Sequence, residues 1–171
     1  MVVEGWLPTF ILTKAAQEFR AKRYSMLFST GIAIDRGDFY WQEKTFADMA
    51  AATMRHLGLD SHVVVAVPAL PVKVDRTFAS ACALKRYFDS TGLRISGINV
   101  VSLGPHSRRS RLLFQKALGK KIKVGIYSYP DETYDPKRWW GSSNGFKATI
   151  DEIVSYCYSI VVFSFKKSSF I

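Results

Sequence analysis

The stretch INVVSLGPHSRRSRLLFQKAL, residues 98–118, joins an apolar run to a tight turn and a basic amphipathic segment. The apolar run predicts a buried strand at Ile98–Leu103, and Gly104-Pro105-His106 predicts a turn. A helix is expected from about Ser107 onwards. Free N–H groups at the beginning of a helix favour anions, and arginine side chains add to this preference. The stretch therefore predicts a strand–turn–helix unit with an anion site at the turn.

The same alternation of apolar runs and helical periodicity extends over the whole chain. Strands are predicted at Val2–Glu4, Ser25–Ser29, His62–Val67, Ile98–Leu103 and Lys123–Ser128. Helices are predicted at Phe10–Tyr24, Thr45–Leu57, Asp75–Phe88, Ser107–Leu118 and Gly145–Phe163. The β-branched run VVVAV within the third strand suits a strand that is buried on both faces. Crossovers of this length favour parallel strands, so the pattern predicts a three-layer α/β/α Rossmann-like sandwich with a mainly parallel sheet of about five strands.

The length of 171 residues and a hydrophobic content of 48% suit one domain, expected at 1–165, followed by a loose tail at 166–171. Loops are predicted at 32–44 and 129–144. No secretory signal peptide opens the chain, and the apolar tract near Ile153–Phe165 is shorter than the roughly 20 residues that span a bilayer. The expected location is cytoplasmic, or membrane-associated if the natural protein has an upstream anchor.

The net charge of +10 favours anionic partners, namely phosphorylated ligands, an anionic membrane surface or nucleic acid. Seven basic residues and no acid lie between Arg108 and Lys123. Nucleic acid is disfavoured because no recognition motif accompanies this charge. Cys82 and Cys157 form neither a zinc motif nor a disulfide framework, and the acids lack metal-ligand spacing, so no metal is predicted. The sequence assigns neither a cofactor nor an oligomeric state.

Candidate site residues follow the predicted strands, because parallel sheets bind ligands beyond the carboxyl ends of their strands. His106 and Glu4 are the candidate catalytic residues, for general acid or base chemistry. The candidate ligand-binding residues are Gly5, Thr30, Gly31, Asp75, Thr77, Gly104, Arg108 and Arg109. Three alternatives stay open: Asp75 or Thr77 as an ordinary helix cap, Glu4 as a salt-bridge partner, and the arginines as a solvated helix face.

The commonest nucleotide, hydrolase and protease motifs are absent from the sequence. There is no GxGxxG, no P-loop, no GxSxG and no HExxH. The anion-site hypothesis therefore depends on the residues at the strand ends rather than on a standard motif.

The arrangement resembles the bacterial YdcF/SanA/ElyC-like family over roughly residues 2–128. The strand that ends in Val100-Val101-Ser102, followed by His106 and Arg109-Ser110, is similar to that family's hydrophobic strand and His-x-x-Arg-small motif. Ser29-Thr30-Gly31 looks like its Ser-Gly-Gly turn, and Thr77 looks like the threonine that opens its third helix. The resemblance implies a Rossmann-like fold, a polar pocket, a link to cell-envelope biogenesis and, in many members, an N-terminal membrane anchor.

Several carboxylates of the family pattern are absent here. Ala79 and Ser80 stand where Glu and Asn are usual, and Pro71 stands near the place of another Glu. The leading hypothesis is a domain that binds a phosphate-bearing ligand, either a nucleotide or a lipid-linked envelope precursor, and whether it is an enzyme stays open. The alternative is a non-catalytic basic binding or scaffold domain at an anionic membrane surface or on nucleic acid.

Overall fold

A computed structural model describes residues 1–34 and 44–165, with side chains up to residue 163. The strands are Val2–Glu4 (β1), Leu27–Gly31 (β2), Val64–Pro68 (β3), Gly97–Leu103 (β4) and Lys123–Tyr129 (β5). The α-helices are Thr9–Ala21 (α1), Phe46–His56 (α2), Arg76–Thr91 (α3), His106–Leu118 (α4) and Ser143–Phe165 (α5), and a 3-10 helix covers Pro136–Gly141. The predicted tail at 166–171 and most of the predicted loop at 32–44 lie outside the described residues.

The five strands form one parallel sheet in the order β3-β2-β1-β4-β5. This confirms the predicted three-layer α/β Rossmann-like fold. The chain builds outward from β1 on one side and then crosses to the other side for β4, so the strand order reverses between β1 and β4. Neighbouring loops diverge at such a reversal, which leaves a crevice beyond the carboxyl ends of these two strands.

Alternation of side chains along the central strands produces two separate cores. Val2 packs in the core that contains Phe114 of α4, and Val3 packs in the core that contains Met54 of α2. Helices α1 and α2 therefore cover one face of the sheet, and α3 and α4 cover the other. Helix α5 packs against α4. Among the described residues, none of the helices is both long and apolar enough to cross a membrane.

Two details of the predicted strands are wrong. Strand β2 begins and ends two residues later than predicted, so Thr30 and Gly31 belong to the strand and not to the turn after it. Strand β3 is at the edge of the sheet, and Val65 and Ala66 are only half-buried, although the β-branched run favoured burial on both faces. An edge strand also accommodates Pro68, because one side of its backbone needs no ladder hydrogen bond.

The structure confirms the predicted N-cap of α2 but shows no capping hydrogen bond from Asp75 in α3. Thr45 caps α2, since its hydroxyl accepts a hydrogen bond from the Asp48 amide at 3.1 Å. Asp75 occupies the N-cap position of α3, but its side chain makes no capping hydrogen bond and its backbone is left-handed, with φ of 56°. The Asp75 side chain therefore does not cap α3.

The turn after β1 needs a glycine because α2 comes close to it. A Cβ atom at Gly5 would lie 2.2 Å from the Phe46 carbonyl oxygen and 2.9 Å from the Thr30 carbonyl oxygen. Both neighbours are backbone atoms, so they cannot swing away. Gly5 was predicted to bind a ligand, but its close contact is with the protein's own backbone.

We expect Gly5→Ala to lower the free energy of unfolding by about 3 kcal/mol, because the added methyl must displace helix α2. The matched control is Gly141→Ala, since a Cβ there meets no atom within 4 Å. Chemical denaturation of both variants measures the difference. Equal stability of the two variants would contradict the proposed close packing at Gly5.

Candidate functional site

Three neighbouring strands bring the polar candidates to one edge of the sheet. In the β1–β2 register, Glu4 lies directly opposite Thr30 at the carboxyl ends of the two strands. Strand β4 pairs with β1 on its other side, and the turn after β4 leads to His106 at the first position of α4. Residues separated by about a hundred positions in the chain are therefore neighbours at the reversal of strand order.

A cleft of about 540 Å³ opens at this edge of the sheet. Seven of the ten candidate site residues line it: Glu4, Thr30, Gly31, Asp75, Thr77, His106 and Arg109. Basic Lys73 and Arg76 also line the cleft, and neither forms an ion pair with a described residue. The carboxyl-end argument thus placed most of the candidate residues correctly at one cleft.

The other three candidates lie elsewhere. Gly5 packs against the backbone of α2. Gly104 has a φ of 51° and makes the turn between β4 and α4. Gly104 and Arg108 line a second groove, between α4, β5 and α5. Arg108 and Arg109 point to different cavities because successive residues on a helix project about 100° apart.

The central ionic contact of the cleft involves a residue that sequence reasoning missed. Glu152 of α5 accepts hydrogen bonds from Arg109 Nε at its Oε2 atom and from Arg109 Nη2 at its Oε1 atom, both at 2.8 Å. The same Oε1 lies 2.8 Å from His106 Nδ1. The Arg109 and His106 nitrogens are 2.9 Å apart because both approach this one oxygen. No local motif marks Glu152, since its partners are 43 and 46 residues away.

These contacts determine the charges of His106 and Glu152. Burial lowers the pKa of His106, but the hydrogen bond with Glu152 and the negative charges of Glu152 and Glu4 outweigh it and raise the pKa to about 9. Burial raises the pKa of Glu152, but hydrogen bonds and positive charge from Arg109 and His106 lower it to about 2. The hydrogen bond to Glu152 is the main cause that raises the pKa of Arg109. His106 is therefore an imidazolium at neutral pH, held by a carboxylate.

The second ring nitrogen of His106 is oriented toward the end of β1. His106 Nε2 lies 3.5 Å from Glu4 Oε1, and Ser110 Oγ donates to the same Glu4 oxygen at 2.9 Å. The Trp6 ring packs edge-on against the imidazole at a centroid distance of 5.0 Å. Glu152 at one nitrogen and Trp6 against the ring fix the direction of the other nitrogen, Nε2.

Three buried polar atoms at the cleft have no hydrogen-bond partner among the described residues. They are Glu4 Oε2, Thr30 Oγ1 and His106 Nε2. Glu4 is 3% exposed and Thr30 is 1% exposed. Buried polar groups without partners are costly, so they are usually satisfied by water or a ligand. The cleft therefore offers one acceptor, one hydroxyl and one charged donor to a bound molecule.

The arrangement suits proton transfer or anion binding at His106 Nε2. Glu152 holds Nδ1, as a carboxylate does when it orients a catalytic histidine. Arg109 holds Glu152, so its guanidinium acts on the imidazole through the carboxylate. Among residues 1–34 and 44–165, no group of three or more acidic, histidine or cysteine side chains is arranged to hold a metal ion.

Comparisons with protein-family models, curated proteins and solved structures find no match to this chain. The resemblance to the YdcF/SanA/ElyC-like family stays a prediction.

The raised pKa of His106 predicts how stability depends on pH. An imidazolium with a pKa of about 9 in the folded chain and 6.5 as its ordinary value stabilises the fold fully below pH 6.5. This contribution is lost as the pH rises through about 9. We therefore expect the stability difference between the wild type and His106→Gln, measured by urea denaturation, to shrink over that interval. His56→Gln, at an exposed position outside the cleft, controls for the loss of a histidine.

The Glu152 contact predicts a change in the titration of His106. In Glu152→Gln, burial still disfavours the imidazolium while the carboxylate charge is gone, so the pKa of His106 should fall by about 1 to 3 pH units. The matched control is Asp151→Asn, which removes an exposed acid from the adjacent position of α5. Titration of the His106 ring followed by NMR measures both variants. An unchanged His106 pKa in Glu152→Gln would show that Glu152 does not hold the imidazolium.

Proposed function

We propose that the cleft binds a phosphate-bearing ligand through the His106 imidazolium and the basic residues at its rim. With His106 charged, the cleft has four cations, Lys73, Arg76, His106 and Arg109, against three acids, Glu4, Asp75 and the Glu152 that binds Arg109 and His106. Arg109 uses Nε and Nη2 for Glu152, so His106, Lys73 and Arg76 are the better candidates for direct contact with an anion. Thr30 and Thr77 supply hydroxyl donors beside them.

A ligand that also carries hydrogen-bond donors satisfies Glu4 Oε2, a buried acceptor without a described partner. A phosphorylated molecule with hydroxyl groups, such as a sugar phosphate or a nucleotide, presents both an anion for His106 and donors for Glu4. This single observation, a Glu4 oxygen and a His106 nitrogen that both lack a hydrogen bond at one cleft, carries the proposal.

The family proposal agrees with the same residues. His106, Arg109, Thr30 and Thr77, which carry the resemblance to the YdcF/SanA/ElyC-like family, all line this cleft. We therefore propose membership of that family and a role in bacterial cell-envelope processes, with a nucleotide or a lipid-linked envelope precursor as the phosphate-bearing ligand. His106 Nε2 would donate its proton to a phosphate oxygen or to a leaving group, and Glu4 would accept a proton from a ligand hydroxyl.

The test compares ribose 5-phosphate, ribose and inorganic phosphate as probes in calorimetric titrations. We expect ribose 5-phosphate to bind more tightly than either part. His106→Ala should weaken its binding by about tenfold or more, since a hydrogen bond between charged groups is lost. Arg109→Ala should weaken binding too, because it releases Glu152. Binding should also decline as the pH rises through about 9, where His106 loses its proton.

Arg108→Ala is the matched control, since this arginine is adjacent in sequence but lines a different groove. A selective ligand should bind this variant as it binds the wild type. Equal losses in Arg108→Ala and Arg109→Ala would indicate nonspecific attraction to a basic surface and would contradict the cleft proposal.

A further inference from the structure

Helix α5 has an apolar face that the rest of the described chain does not cover. The outer stripe consists of large or soft apolar side chains at helical spacing: Phe146, Ile153, Val154, Cys157 and Val161. Ile153 is 52% exposed, Val154 63% and Val161 57%. Single exposed apolar residues are normal on a protein surface, whereas a continuous apolar stripe marks an interaction surface.

The opposite face of α5 is the one that packs on the domain. Ser159 and Phe163 are buried there, and Phe163 packs against Phe78 of α3 at a ring-centroid distance of 4.4 Å. Glu152 on the same side reaches His106 and Arg109. The outer stripe is therefore not the side by which α5 packs on the core, because the opposite side of the helix already makes that contact.

Basic side chains from α4 border one edge of the outer stripe. Arg108 lies over the Tyr156 ring at 5.6 Å, and Lys116 Nζ donates to the Phe163 carbonyl oxygen at 3.0 Å. Arg111 is exposed further along the same helix face. Lys147 and Asp151 follow the other edge, so the excess of positive charge is on the α4 side.

A groove of about 780 Å³ lies between this basic edge and the outer stripe. Apolar Leu112, Ile126 and Ile153 line it together with Arg108 and Arg111. Ser107, which is 4% exposed, also lines the groove, and its Oγ has no hydrogen-bond partner among the described residues. The groove thus combines an apolar wall with two guanidinium groups and a buried hydroxyl. Glu152 also lines it, but its carboxylate is bound by Arg109 and His106.

We propose that the outer stripe docks on an anionic membrane surface and that the groove receives a phospholipid there. The apolar side chains of α5 enter the acyl boundary, as in helices that lie in the plane of a membrane interface. Arg108 and Arg111 bind the headgroup phosphate, and Ser107 Oγ donates to it. The inference does not depend on the cleft ligand, because the cleft is on the other side of α5.

The charge of the chain favours a lipid surface over a second copy of the chain. Pairing two outer stripes would bring together two chains that each have a net charge of +10, which is unfavourable. Anionic headgroups instead neutralise the arginines beside the outer stripe.

The experiment is co-sedimentation of the full chain with phosphatidylcholine vesicles, with or without phosphatidylglycerol. We expect binding to the anionic vesicles, and we expect Ile153→Gln combined with Val161→Gln to reduce it by about tenfold or more, since apolar burial is lost. Arg108→Gln combined with Arg111→Gln should also reduce it and weaken its salt dependence. Circular dichroism melts check that all variants fold.

Two matched controls test whether vesicle binding depends on the outer stripe or only on exposed apolar area and positive charge anywhere on the surface. Leu70→Gln removes an apolar side chain that is 69% exposed outside α5, and Lys22→Gln combined with Arg23→Gln removes two positive charges at the end of α1. Both should bind as the wild type does. Three outcomes would overturn the proposal. The first is equal loss of binding in the controls and the test variants, and the second is equal binding to neutral vesicles. The third is a dimer in light scattering that the Ile153 and Val161 substitutions abolish, without any vesicle binding.

Discussion

The carboxylate of Glu152 is the contact on which the cleft depends. It accepts from both Arg109 and His106, and in doing so it joins α5 to the first turn of α4. Without it, the half-buried Arg109 guanidinium and His106 imidazolium would face each other at 2.9 Å, which is unfavourable for two like charges. With it, the imidazole keeps its proton and turns Nε2 toward the end of β1. The side of α5 that carries Glu152 is thus both a packing surface and a part of the site.

The sheet places this contact where a ligand can reach it. Strand order reverses between β1 and β4, so the turn after β4 and the end of β1 diverge and leave a cleft. Glu4 is buried at that point with one oxygen bonded to Ser110 and the other without a described partner. A buried carboxylate oxygen of this kind is stabilised by water or by a bound molecule. The proposed ligand supplies what Glu4 and His106 each lack.

Helix α5 has apolar side chains on two sides. Its inner side carries the buried Phe163 together with Glu152 and Ser159, while its outer stripe presents Ile153 and Val161 to the surroundings. The usual surface helix has a polar outer side, so the outer stripe is an exception. The proposed membrane contact accounts for it, because lipid replaces the neighbouring protein that an apolar face normally requires.

Periodicity in the sequence was sufficient to predict the fold class, since alternating strands and helices of these lengths have few other solutions than a parallel sheet between helical layers. Most of the candidate residues line the cleft, because strand ends share one edge of such a sheet. Helix geometry also separates Arg108 from Arg109, but the sequence could not predict which cavity each of them faces, or that Gly5 meets the backbone at Phe46. Glu152 and the outer stripe depend on the angle at which α5 packs against α4, and that angle is decided by contacts between residues far apart in the chain. Local pattern determined the elements and their order, whereas only the tertiary structure decided which charge holds His106 and which face of α5 stays uncovered.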